Sequence, residues 1–148
     1  MKKLLFAGLA LLLLAACSKT TSPTTDIPNA SKGIYFANLT YDKALNQAAE
    51  ENKPIFIDFY TTWCAPCKWM DQDVFQEQTV GEFFNESFIS LKIDAEKGEG
   101  PQLAQEFNVY GYPTGVFLNS NGEVQETIVG LTSASNFMSI GKKVKANN

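Results

Sequence analysis

The run Pro54–Tyr60, PIFIDFY, constrains this chain more than any other feature. It is apolar at almost every position, so both faces of the strand it predicts need cover. That is the pattern of a central strand with helices packed on either side. Four residues beyond Tyr60 the chain reads Cys64-Ala65-Pro66-Cys67. A buried strand therefore leads almost directly to two closely spaced thiols.

The flanking segments supply the cover. NLTYDKALNQAAEENK places Tyr41, Ala44, Leu45, Ala48 and Ala49 at helical spacing, with Thr40 as the expected N-cap and Asp42 in the first turn. APCKWMDQDVF and TVGEFFNESF predict a helix followed by a second helical piece, and FISLKID, Phe88–Asp94, predicts a strand. GPQLAQEF opens a helix with Pro101 at its first position. TGVFLN, the turn SNG and EVQETIVG predict a hairpin. TSASNFMSIGKKVK predicts a terminal helix capped by Thr132, with lysines near its negative end. The order α-β-α-β-α-β-β-α argues for an α/β fold whose mixed sheet has a parallel core and an antiparallel C-terminal hairpin. In 148 residues, 45% of them apolar, there is material for one domain with a packed core. Trp69 and Met70 are expected in that core.

The first sixteen residues stand apart. A basic start, Met1-Lys2-Lys3, precedes thirteen uncharged apolar residues, Leu4–Ala16. This suits a secretory signal and is short for a membrane span. It ends in LAAC, Leu14–Cys17, which resembles the bacterial lipobox, so Cys17 is the expected lipidation site and the mature N-terminus. Several acyl chains on one residue suffice for stable membrane attachment. Ser18, where an Asp would retain a lipoprotein at the inner membrane, favours the outer membrane of a bacterial envelope. Residues 17–32 are rich in Ser, Thr and Pro and read as a flexible tether. Residues 33–148 form the expected folded domain.

Charge narrows the partners. Removing residues 1–16 takes away Lys2 and Lys3 and leaves 10 basic residues against 16 acidic ones, a net charge of −6. With no Arg and no His there is no basic stripe for nucleic acid, and no Ser-His or Cys-His nucleophile pair.

Three chemistries are open to Cys64 and Cys67. A zinc site needs about four ligands, and once Cys17 is set aside as the expected lipidation site the chain offers two thiols and no His. A purely structural bridge over so short a loop removes little chain entropy from the unfolded state. A redox pair that cycles between dithiol and disulfide has neither difficulty. Cys64, between a strand end and a helix start, would have its thiolate stabilised by free N–H groups and is the expected attacking thiol. Cys67, one turn inside and more buried, would be the resolving thiol. No metal or cofactor is expected.

From Gly33 to about Ala146 the chain resembles the thioredoxin-like family. IDFYTTWCAPCK is similar to that family's strand, Trp and Cys-x-x-Cys; GYPT, Gly111–Thr114, to its cis-proline loop; NGEVQETIVG to its final hairpin and closing Gly130. The leader ALNQAAEENKPIFIDF and the long CKWMDQDVFQEQTVGEFFNESFISLKID resemble the exported subgroup that includes the C-terminal domain of the DsbD reductase. The resemblance implies a thioredoxin fold and thiol-disulfide exchange, with a cis bond before Pro113. It implies that Asp58 is a buried proton acceptor for Cys67. Among Ile55, Ile57 and Phe59 such a carboxyl should have a raised pKa. Thioredoxin pairs this acid with a lysine whose matching position here is Ser90, with Lys92 two residues on as a substitute. Trp63, Ala65, Pro66, Tyr112 and Pro113 are the expected substrate-contacting residues, Trp63 and Tyr112 framing an exposed sulfur.

Ala-Pro between the cysteines, without the His of strong oxidants, points to a reducing protein. Its clients would be disulfide-containing exported proteins, and its electrons would come from a membrane donor of the DsbD or CcdA type. A periplasm-facing monomer is expected. The alternatives are an oxidase or isomerase of the same fold, or a non-catalytic adaptor that uses the exposed groove to bind.

Overall fold

A computed structural model describes residues 33–148. The expected signal peptide, the expected lipidation site Cys17 and the expected tether lie outside the described residues. The elements are α1 (Tyr41–Glu51), β1 (Ile55–Tyr60), α2 (Ala65–Trp69) running on into a π-helical turn (Met70–Val74), α3 (Gln78–Ser87), β2 (Ile89–Asp94), α4 (Gly100–Glu106), β3 (Thr114–Leu118), β4 (Val124–Val129) and α5 (Ala134–Ala146).

The sheet is mixed, with strand order β2-β1-β3-β4. β1 is parallel to β2 and antiparallel to β3, and β3 is antiparallel to β4. The parallel core expected from strand-helix alternation is thus the β1–β2 pair alone. Register gives the reason. Tyr60 pairs with Asp94 at the end of β2, and Phe59 with Thr114 at the start of β3. The connection through α4 therefore leaves and re-enters the sheet at the same end, which reverses β3. That end also carries Cys64 and the loop before Thr114.

Alternation along β1 divides the core. Ile55, Ile57 and Phe59 face α1 and α4, packing with Leu91, Ile93, Val116 and Leu118. Phe56 faces α3 and α5, where it meets Phe84, Phe117 and Phe137 at ring separations of 5.5, 5.0 and 5.0 Å. Each such buried aromatic contributes ~1.5–3 kcal/mol by leaving water. The rigidity of this double-sided packing holds the end of β1, and hence the cysteines, in place.

Two caps differ from expectation. Thr40 stands at the N-cap of α1, but its hydroxyl makes no cap bond. The Tyr41 N–H instead donates to Glu99 Oε1 at 3.0 Å. α5 is capped by Ser133, not Thr132: Ser133 Oγ accepts from the Asn136 N–H at 3.2 Å, while Thr132 Oγ1 accepts from the Asn136 side chain. Ser133→Ala should cost about 1 kcal/mol in a denaturant melt, and Thr132→Ala clearly less. The reverse order would return the cap to Thr132.

Candidate active site

Cys64 is the N-cap of α2 and Cys67 lies in its first turn. They form a disulfide with S–S 2.07 Å and Cα–Cα 5.3 Å. The Cys67 N–H donates to Cys64 Sγ at 3.1 Å. The same donor would stabilise a Cys64 thiolate once the bridge opens, and α2 with its π-helical continuation adds a dipole of the favourable sign. Ala65 and Pro66, at the surface between them, leave room for a partner's chain. Cys64 and Cys67 are 3% and 2% exposed, so neither the expected exposed sulfur nor a burial difference between the two is found. The turn in which the Cys64 N–H bonds Thr61 O at 3.2 Å folds Cys64 against the protein. The asymmetry of the pair lies in position along the helix, not in accessibility.

Asp58 is 2% exposed, near the C-terminal end of β1. Strand alternation turns it away from Ile55, Ile57 and Phe59, onto the face of Phe56. A cavity of ≈ 10 Å³, about the room one water occupies, is walled by Asp58, Met70, Phe75, Pro113, Gly115 and Phe137 among others. Cys67 is not among its walls. Lys92 is the register partner of Asp58 on β2, and its Nζ reaches Asp58 Oδ2 at 2.8 Å. It also bonds Asp71 on the π-helical turn, and lies 4.8 Å from the Tyr60 ring centroid, a cation–π distance. Ser90, by contrast, pairs with Phe56, and its buried hydroxyl has no partner.

Burial pushes the Asp58 carboxyl up from an ordinary value near 3.8 to about 6; Lys92 opposes the rise and Asp71 adds to it. Burial disfavours the Lys92 charge, yet Asp58 and Asp71 together hold its pKa above the usual lysine value. Lys92→Met should therefore raise the Asp58 midpoint beyond about 6 in a carboxyl-carbon NMR titration. An unchanged midpoint would show that the ion pair does not control the carboxyl.

The Tyr112–Pro113 bond is cis, as the resemblance implies. Pro113 is buried and its carbonyl accepts from the Gly130 N–H at 2.8 Å, tying this loop to the end of β4. Tyr112 is partly buried. The Trp63 ring meets it edge to face, with centroids 6.1 Å apart and planes at 83°. Trp63 is 66% exposed, and its indole N–H donates to Glu96. Met70 is buried as expected, whereas Trp69 is exposed on the outer side of α2.

The structure therefore brings Cys64, Cys67, Trp63, Ala65, Pro66, Tyr112, Pro113 and Asp58 to one end of the sheet. Asp71 and Glu96 were not found by sequence reasoning. Asp71 lies on a π-helical turn, where regular spacing does not foretell facing, and nothing in the loop after β2 marks Glu96. No group of acidic or sulfur side chains suited to a metal occurs among the described residues.

Comparison with known proteins agrees with this geometry. The family model described as thioredoxin-like matches residues 37–120, and the chain belongs to that family. It is 31% identical over 141 residues to the thiol:disulfide interchange protein DsbD of Yersinia pestis, and spans 24% of that protein's length. A solution structure from Bacteroides thetaiotaomicron, provisionally described as a disulphide-isomerase, is 43% identical with a TM-score of 0.65, over 78% of this chain and 93% of that one. The oxidised C-terminal domain of DsbD from Neisseria meningitidis is 25% identical with a TM-score of 0.60, over 74% and 97%. Fold, family and the Cys64–Cys67 pair define a thioredoxin-like thiol-disulfide oxidoreductase.

Proposed function

We propose that the protein reduces disulfides of exported proteins at the bacterial cell envelope, cycling Cys64 and Cys67 between dithiol and disulfide. The observation that carries this reading is the Cys64–Cys67 bridge at the start of α2, with the Cys67 N–H on Cys64 Sγ and Ala-Pro between the cysteines. One donor to Cys64, and no His beside it, stabilises the thiolate only moderately. A moderately stabilised thiolate makes the dithiol a better reductant. The likeness to DsbD supports a membrane conduit of the DsbD or CcdA type as the electron source. Asp58 acts as the base for Cys67, and Trp63, Ala65, Pro66, Tyr112 and Pro113 receive the client chain.

Redox titration of the Cys64–Cys67 couple tests the direction. A potential near the ~−270 mV of thioredoxin is expected, and a value near the ~−120 mV of DsbA would make the protein an oxidant. The isomerase description of the Bacteroides protein favours a second reading, refolding of misbridged clients. Recovery of scrambled ribonuclease without added reductant would support it.

No helix among the described residues is long and apolar enough to cross a membrane. Membrane attachment is assigned to lipid on Cys17, with the domain facing the periplasm, more from the outer membrane than the inner. Cys17→Ser should move the protein from the membrane fraction to the soluble or unprocessed one. A processed variant that still floats with membranes would refute the anchor.

A further inference from the structure

Glu96 has no role in the redox cycle proposed above, yet it makes a specific side-chain contact on the rim of the site. Its two carboxylate oxygens accept the Trp63 indole N–H at 3.0 and 3.1 Å. Glu96 is itself held. Its N–H donates to Asp94 Oδ1 at 3.0 Å, and Lys97 pairs with Asp94 Oδ2 at 2.8 Å. The Ala95 N–H ties the same loop to Tyr60 O at 2.9 Å. The other side of Trp63 meets the edge-to-face contact with Tyr112, the residue before Pro113. The indole is thus clamped between the loop after β2 and the cis-proline loop. Trp63 is 66% exposed, so little besides these two contacts fixes its rotamer. The next residue, Cys64, is 3% exposed, so the walls beside it decide which disulfides can reach its sulfur.

We propose that Glu96 is a positioning residue for protein disulfides. By accepting the indole N–H it fixes Trp63 as one wall of the slot in which a client's disulfide meets Cys64. The proposal rests on the reductase reading above. A bulky client presses its chain on that wall, and with the latch gone it must order the indole at its own entropic cost. A small disulfide needs only the sulfur of Cys64 and is indifferent to the wall.

The test compares Glu96→Ala and Glu96→Gln on two substrates: insulin, with dithiothreitol as the terminal reductant, and a small aromatic disulfide, mixed in single turnover with the pre-reduced protein after free dithiothreitol is removed. Glu96→Ala should lower kcat/KM for insulin by roughly three- to tenfold, the scale of one net hydrogen bond, mostly through KM. The rate on the small disulfide should stay within about twofold on that same scale, because no wall contact is involved. Glu96→Gln keeps a carbonyl acceptor and should restore insulin reduction. In a Trp63→Phe background, which has no indole N–H, Glu96→Ala should add nothing. In a Trp69→Phe background, Glu96→Ala should lower the fluorescence anisotropy of Trp63.

An equal loss on both substrates would mean that Glu96 acts on the thiols and not on the wall. Unchanged insulin kinetics, or unchanged anisotropy, would overturn the latch. Wild-type protein that exchanges with the small disulfide but leaves insulin intact overturns the reductase reading instead, and the anisotropy measurement then decides the latch by itself.

Discussion

Cys64→Ser should abolish insulin reduction, and Cys67→Ser should accumulate mixed disulfides with clients while turning over at least ~10³-fold more slowly. The two effects follow from the order of events in the proposed reductase cycle. The Cys64 thiolate attacks one sulfur of the client's disulfide; a Cys64–client bond forms and the client's other sulfur leaves as a thiolate. Cys67, deprotonated, then attacks Cys64 Sγ; the Cys64–Cys67 bond forms and the client leaves fully reduced, two electrons richer. The second attack is intramolecular. Effective concentrations for well-placed groups reach ~10⁵ M and above, against millimolar external thiol, so without Cys67 the mixed disulfide persists. Helix position supports the proposed roles: Cys64 is the N-cap that receives the Cys67 N–H, and Cys67 is one turn inside. Non-reducing gels and mass spectrometry of adducts read the outcome. Trapping through Cys67 in the Cys64→Ser variant, to the same extent, would reverse or erase the assignment.

Much of this site was legible because its parts are local in sequence. An apolar strand followed by Cys-Ala-Pro-Cys puts both thiols at a strand end and helix start whatever the rest of the chain does. The cis bond at Pro113 needed the family resemblance, since a turn proline is trans by default. What stayed hidden depends on pairing across elements. Lys92 was two places from where the resemblance put a lysine, and only the register Asp58↔Lys92 makes it the direct partner. Asp58 was assigned neighbours adjacent in sequence, whereas a strand turns adjacent residues to opposite faces. Trp69 is expected in the core, but only the helix's facing decides this, and α2 shows that position to solvent. Glu96 and Asp71 contact residues 33 and 21 positions away. No short-range pattern encodes such contacts.

Asp58→Asn should stabilise the protein near neutral pH and slow its chemistry. Burial places the folded-state pKa of Asp58 at about 6, against 3.8 for the ordinary group. The charged groups facing it are Lys92 from β2 and Asp71 from the π-helical turn, and the first does not fully offset the burial. The sign follows from linkage. A carboxyl with a raised folded pKa binds its proton more tightly in the native state than in the unfolded chain. Its contribution is fully present below about pH 3.8 and is lost as pH rises through about 6. A shift of this size corresponds to on the order of 3 kcal/mol, an upper estimate for a pair that can relax. Asn has the shape without the charge, so the variant should exceed the wild type by up to that amount at pH 7.5 and converge with it near pH 4. Lys92 keeps Asp71 as a partner in the variant, which limits the loss from its broken bond. As the proposed base for Cys67, Asp58 should matter most in the resolving step, where that thiol gives up its proton. Single-turnover reduction of a model disulfide should then be slower in Asp58→Asn, with mixed disulfide lingering, while denaturant melts across this pH range show the gain. A residue that costs the fold stability and speeds the reaction is one retained for chemistry. A variant less stable than wild type and equally fast would make Asp58 a structural anchor for Lys92 and nothing more.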